Sequence, residues 1–246
     1  MTTLSDAAPA RYDDLTAVYI NCTLTPSPRT SHTQTLMDRS IAILEQVGVE
    51  VDVIRAVDHH LAPGVQLDMT ADGLFDRDDW PQLFEQVLAA DILVLGTPIW
   101  LGSPSSVCIQ VIERLYAYSA ELNDGGQYDY YGRVGGAVIT GNEDGIKHCA
   151  MTMLYALQHL GYTIPPQADT GWIGPVGPGP SYGDEQGDGE VPVGLDTDFT
   201  NQNTAFMTWN LLHLARMLKD HGGIPAFGNQ PPRWADGERF GYPPPS

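Results

Sequence analysis

The chain has 246 residues, with 12 Lys and Arg against 31 Asp and Glu and a formal net charge of −19. That charge repels phosphate backbones and anionic lipid, which argues against nucleic-acid and membrane partners, while the length suffices for one elaborated α/β domain with a full core. Cys22, Cys108 and Cys149 are odd in number and widely spaced, so a disulfide framework is not expected and a reducing, cytoplasmic setting fits. No stretch approaches the ~20 apolar residues of a membrane span, and the acidic opening carries no targeting pattern.

Residues 1–14 read as a polar N-terminal extension before a domain over 15–222. Residues 15–21 are a short β-branched and aromatic run, the pattern of a buried parallel strand. A helix follows from Ser31, with Ser31 or Thr33 as N-cap, Leu36, Ile41, Ile43 and Leu44 toward the sheet, and Gly48 as its stop. Residues 49–54 alternate with period two and give a second strand. The acidic, Gly- and Pro-bearing stretch 58–79 reads as a long surface connection. It leads to a helix over 80–90 with Pro81 in its first turn.

Residues 91–96 form the third strand. Residues 105–119 form a helix with Val107, Val111, Ile112 and Leu115 on one face. Residues 135–140 are the fourth strand, 146–160 its helix closed by Gly161, and 163–173 the fifth strand. The Gly-, Pro- and acid-rich stretch 174–202 is a long loop, ordered by a partner subunit. Helical periodicity returns over 203–221 through Phe206, Trp209, Leu211, Leu212, Leu214 and Leu218. Residues 223–246 are a Pro-rich tail, extended or disordered.

Alternating strands and helices imply right-handed crossovers and a doubly wound, five-stranded parallel sheet in the order 2-1-3-4-5, with helices on both faces. Three segments then emerge together at the switch point. The first, with Thr23, Arg29, Ser31, His32 and Thr33, joins hydroxyls to a helix N-terminus and suits a phosphate held without lysine; plain N-capping is its alternative. The second, with Pro98, Ile99, Trp100, Leu101 and Gly102, offers a rigid turn and a flat aromatic beyond the third strand. Its alternative is that Trp100 packs over the sheet end. The third, with Thr140, Gly141, Asn142, Glu143 and Gly145, has glycines that let backbone approach a ligand edge and acids that disfavour phosphate.

Together these segments resemble the flavodoxin-like NAD(P)H-dependent FMN reductase and quinone reductase family. The resemblance spans about residues 15–173 and is most specific in TPIWLGSPSS at 97–106, VIER at 111–114 and TGNEDG at 140–145. It implies an FMN phosphate on Ser31, His32 and Thr33, an isoalloxazine along 98–102, and 140–145 covering its other side. It also implies NADPH or NADH as donor, a quinone, free flavin or similar small-molecule acceptor, and a homo-oligomer with the cavity at a subunit interface. The flavin carries the redox chemistry in such proteins, so no catalytic side chain is required. His159, near the end of the fourth helix, is the one weak candidate for the flavin rim. Arg29, Arg114 and Arg133 are candidates for a 2′-phosphate. The chain departs from the family in Cys108, Ile109 and Gln110, where lysine is common, and in Pro26 and Pro28 within the first loop.

Other readings are a non-enzymatic electron carrier or flavin-binding module on the same fold, and a tyrosine-phosphatase loop on Cys22 and Arg29. The latter has a gap of six residues where five are needed, and two prolines remove amides it would use. No metal site is expected: adjacent His59 and His60 point to opposite faces of an extended chain. The 174–179 stretch only superficially resembles a dinucleotide loop, since no helix follows it.

Overall fold

The computed structural model describes residues 4–243. In chain order its elements are α1 (Leu4–Ala7), β1 (Thr16–Asn21), α2 (His32–Gln46), β2 (Glu50–Arg55), α3 (Trp80–Ala89), β3 (Ile92–Trp100), β4 (Ser103–Pro104), α4 (Ser106–Tyr116), β5 (Val134–Gly141), α5 (Ile146–Leu160), β6 (Asp169–Ile173), α6 (Asp198–Asp220) and α7 (Pro231–Ala235). The sheet runs β2-β1-β3-β5-β6 with every neighbour parallel, and β4 is a two-residue antiparallel return on β3. With β4 set aside this is the expected flavodoxin-like order 2-1-3-4-5.

Helices α3, α4 and α5 pack on one face around Trp80, Phe84, Val111, Leu115, Met153 and Leu157. On the other face α2 and α6 pack through Leu36, Met37, Leu44, Met207, Leu211 and Leu212. Covering both faces is why β1 and the first part of β3 are continuous apolar runs. A polar bolt crosses the α2–α6 side: the Tyr19 hydroxyl lies 2.7 Å from that of Ser40, which lies 2.5 Å from that of Thr208. Among the described residues no helix is long and apolar enough to cross a membrane.

The structure corrects several expectations. Residues 98–100 are strand, because β5 continues beside them as far as the Pro98–Thr140 pair and β4 folds back on Ile99 and Trp100. The β3–β4 hairpin turns in two residues, Leu101 and Gly102, with φ of 51° and 73°. Positive φ at both positions is what a two-residue hairpin favours, and for leucine it costs about 1–2 kcal/mol. The fifth strand shrinks to β6. Pro165 and Pro166 lack amide donors, and Gln167 has φ of 51°, so the run from Thr163 makes only an isolated bridge to Val134.

Helix α6 starts five residues before the expected 203, because its buried face there is polar. Thr200, Thr204 and Thr208 are buried four residues apart; Thr204 and Thr208 bond the carbonyls of Thr200 and Thr204 at 2.8 and 2.7 Å. As far as residue 243 the tail is docked, neither extended nor disordered; the rest of the tail lies outside the described residues. Gln230 donates to the Gly125 carbonyl at 2.7 Å, and Arg233 pairs with Glu238 at 2.6 Å and lies 5.0 Å from the Phe240 ring centroid. The 58–79 connection is likewise anchored: Asp78, fully buried, takes the Arg114 guanidinium at 2.6 Å and the amides of Ala62, Met69 and Trp80. The long loop after β6 is held by this chain's own residues, as the site shows.

Candidate functional site

A cleft of 540 Å³ opens at the carboxyl ends of β1, β3 and β5. Its first wall starts at Asn21, the last residue of β1. The Asn21 amide donates to the Ser31 hydroxyl at 3.1 Å and to Gln34 at 3.0 Å, and its carbonyl accepts from the Thr23 amide at 3.0 Å. Ser31 in turn caps α2, accepting from the Gln34 amide at 3.2 Å, so Ser31 and not Thr33 is the cap. The first loop is pinned from β2: Arg55 donates to the carbonyls of Thr25 at 2.5 Å and Arg29 at 2.8 Å. Asp58 accepts from the Ser27 hydroxyl and amide at 2.5 and 2.8 Å, and these bonds hold its carboxyl below the usual range. The backbone amides of His32 and Thr33 precede the first intrahelical bond, made by Thr35 to Ser31. They are free donors at a helix N-terminus, where an anion is stabilised.

His32 reaches across the cleft, where its Nδ1–H donates to the Tyr182 carbonyl at 2.9 Å with an Asp184 carboxylate oxygen at 3.7 Å. The Thr33 hydroxyl is buried and lies 2.8 Å from that of Thr140, joining α2 to β5. On the second wall Ile99 is buried, Trp100 is 55% exposed and Leu101 93% exposed. The Leu101 amide donates to Glu143 at 2.6 Å.

Asn142 has spent its side chain. It donates to the carbonyls of Pro175 at 3.2 Å and Pro180 at 2.7 Å and accepts from the Ser181 hydroxyl at 3.1 Å. No side-chain donor is left for a ring edge.

Thr23, Ser31, His32, Thr33, Pro98, Ile99, Trp100, Leu101, Thr140, Gly141, Asn142 and Glu143 therefore share one cleft, as read from the sequence. Arg29, Gly102 and Gly145 do not. Arg29 is exposed outside the cleft lining. Gly102 and Gly145 press backbone on backbone: Gly145 has φ of 139°, and a Cβ there would meet Gly102 Cα at 2.8 Å. Both border a second opening of 680 Å³ beside Lys147, His148 and Phe199.

His159 lies at the far end of α5, roughly 20 Å along the helix from its start, stacked on Tyr155 at 5.9 Å. It is away from the site. Arg114 is consumed by Asp78, and Arg133 by the Leu88 and Asp129 carbonyls, so neither serves a 2′-phosphate. Sequence reasoning missed Leu24, Thr25, Thr30 and the wall of Val176, Gly177, Pro178, Ser181 and Tyr182. The hydroxyl density of the first loop was a usable signal for Thr25 and Thr30; the wall has none, since only tertiary folding brings it near.

All three cysteines are free and buried. Burial, with Cys108 beside it, pushes the Cys22 thiol well up, and burial pushes Cys149 up to about 11. Cys22 is fully enclosed, so its sulfur is not presented to a phosphate ester, which argues against the phosphatase reading.

Residues 18–171 match the NADPH-dependent FMN reductase family. The chain belongs to that family. It is 61% identical over 222 residues to a Mycobacterium bovis protein named divalent metal cation transporter MntH, covering 89% of this chain and 32% of that protein. The chain thus spans about a third of that relative's length. It is 37% identical over 210 residues to the 8-demethyl-8-aminoriboflavin-5′-phosphate synthase of Streptomyces davaonensis, covering 84% of this chain and 79% of that one. Among solved structures, RosB with bound 8-demethyl-8-formylriboflavin-5′-phosphate superposes with a TM-score of 0.73 at 39% identity, over 84% of this chain and 81% of that one. A flavone reductase, at 14% identity and a TM-score of 0.52 over 85% of this chain and 64% of that one, shares the fold.

FMN, the flavin of this family, suits the donor set: two unpaired amides at a helix start, hydroxyls along the first loop and an apolar shelf at the hairpin.

Proposed function

We propose that this chain is an FMN-dependent oxidoreductase taking electrons from NADPH or NADH and passing them to a small-molecule acceptor such as a quinone or free flavin. The observation that carries this is the pairing, in one cleft, of free α2 amides with the exposed Trp100 and Leu101 shelf. The α2 start would take the phosphate through the His32 and Thr33 amides. Thr23, Thr25 and Thr30 would face the polyol chain, and Pro98, Trp100 and Leu101 the ring. Bound FMN supplies hydride acceptance and onward electron transfer. The residues around it bind, orient and exclude water. A homo-oligomer that completes the open side of the cleft belongs to the same proposal.

A second reading is favoured by the Streptomyces davaonensis relative, whose name describes an amino group in place of the flavin 8-methyl. On that reading FMN enters the same cleft as the substrate.

The experiment is one titration with two readouts. FMN is added to the purified protein and NADPH or NADH follows without air; a parallel aerated sample receives FMN and an amino acid as amino donor, and the flavin of both is recovered for mass analysis. Bleaching by nicotinamide with the flavin recovered unchanged supports the reductase. An altered flavin mass in the aerated sample with the amino donor supports the second reading. Bleaching only with an added partner reductase supports an electron carrier, and failure to bind FMN sinks all three.

A further inference from the structure

The family match ends at residue 171, yet one wall of the cleft is built from residues 176–182, beyond it. That wall contains no strand or helix, and its prolines leave it few amides with which to hold itself. Two side chains from inside the family-matched stretch fasten it. Asn142, at the end of β5, makes the three bonds to Pro175, Pro180 and Ser181 described above. His32, in the first turn of α2, takes the Tyr182 carbonyl. Behind the wall Tyr182 is buried against Trp172, with ring centroids 5.6 Å apart, and Gly183 bonds the Val193 carbonyl at 2.8 Å. On its front, Val176 lines the cleft while 86% exposed, an apolar surface that a ring in the cleft would cover.

We infer that Asn142 and His32 are positioning residues that latch residues 175–182 as a fixed wall, and that this wall, through Val176 and Pro178, sets the affinity of the cleft for its flat aromatic ligand. The part concerning the ligand rests on the FMN reading; the latch does not. Asn142 then acts through the wall and not by touching the flavin. This differs from a ligand-contacting role for the third loop's asparagine.

The test compares amide hydrogen exchange and FMN affinity in wild type, Asn142→Ala and Ser181→Ala. Exchange is read without ligand at Ser181 and Asp184, whose amides bond the Asp184 carboxylate at 2.6 Å and the Ser181 carbonyl at 3.0 Å. The expected result for Asn142→Ala is exchange about tenfold faster at these amides with FMN bound about tenfold more weakly, local opening being the cause of both. Ser181→Ala, which removes one bond and keeps Asn142, should fall between wild type and Asn142→Ala on both measures. Weaker FMN binding with unchanged exchange would make Asn142 a direct ligand and overturn the inference. Faster exchange with unchanged affinity would deny the wall its role in affinity, and no change in either would place the fastening elsewhere. If wild type binds no FMN, the function proposal fails while the exchange data still decide the latch.

Discussion

The hydroxyls of Thr33 and Thr140 meet at 2.8 Å, tying the first turn of α2 to β5 in the lining of the cleft. Each is almost fully enclosed, so each depends on the other for its hydrogen bond. Thr33→Val keeps the shape and strands the Thr140 hydroxyl, and should cost about 1–3 kcal/mol in urea unfolding. Combining Ser31→Ala with Thr33→Ala should also weaken FMN binding. Unchanged flavin affinity would remove this loop from the site.

Arg55 donates to two carbonyls of the first loop from outside it. Arg55→Ala should loosen residues 23–30 while leaving the sheet intact. The expected readout is faster exchange or protease cleavage in that loop, with weaker FMN binding at nearly unchanged melting temperature.

Gly145→Ala brings a Cβ within 2.8 Å of Gly102 Cα at a φ that side chains rarely adopt. The strain should cost about 1–3 kcal/mol and displace the β3–β4 hairpin from the third loop. Thermal unfolding checks the first effect, and the Trp100 fluorescence maximum checks the second.

Asp78 and Arg114 form an ion pair with both side chains fully buried. Asp78→Asn leaves a guanidinium without its counter-charge and should cost about 3–5 kcal/mol. The double change Asp78→Leu with Arg114→Met should cost less than the sum of the single changes. Chemical denaturation of the four-member cycle measures that difference.

Cys149 is shifted from an ordinary value of 9.0 to about 11 by burial, so between these pH values the folded state holds a neutral thiol where the unfolded chain would hold a thiolate. Its contribution to stability is fully present below pH 9 and is lost as pH rises toward 11. At pH 8 the native protein should react with a thiol reagent far more slowly than the unfolded chain does. Rapid reaction of the native thiols would contradict the burial described here.

What the sequence disclosed was whatever repeats locally. The apolar runs at 15–21 and 91–96 announced central strands because a sheet covered on both faces leaves them no polar side. The Ser31 region announced the α2 start through its hydroxyls. Three kinds of feature stayed hidden for physical reasons. Helix α6 begins in buried threonines whose polarity is satisfied by backbone carbonyls, which hydropathy reads as loop. Arg114 looked available because its partner Asp78 sits 36 positions away, and a counter-ion contributed by tertiary folding leaves no trace in spacing. Asn142 looked like a ligand contact in a glycine-flanked loop, while its bonds run to residues 33 to 39 positions further on.

The cleft is therefore built from two parts of the chain. Its floor and the α2 start lie within residues 18–171, and one side comes from residues that enter at the end of β6 and leave at the start of α6. Because the segment between β6 and α6 belongs to no strand of the sheet, exchanging residues 174–197 with those of a relative, together with the matching asparagine and histidine, is expected to change the cleft wall and leave the strand pairing intact.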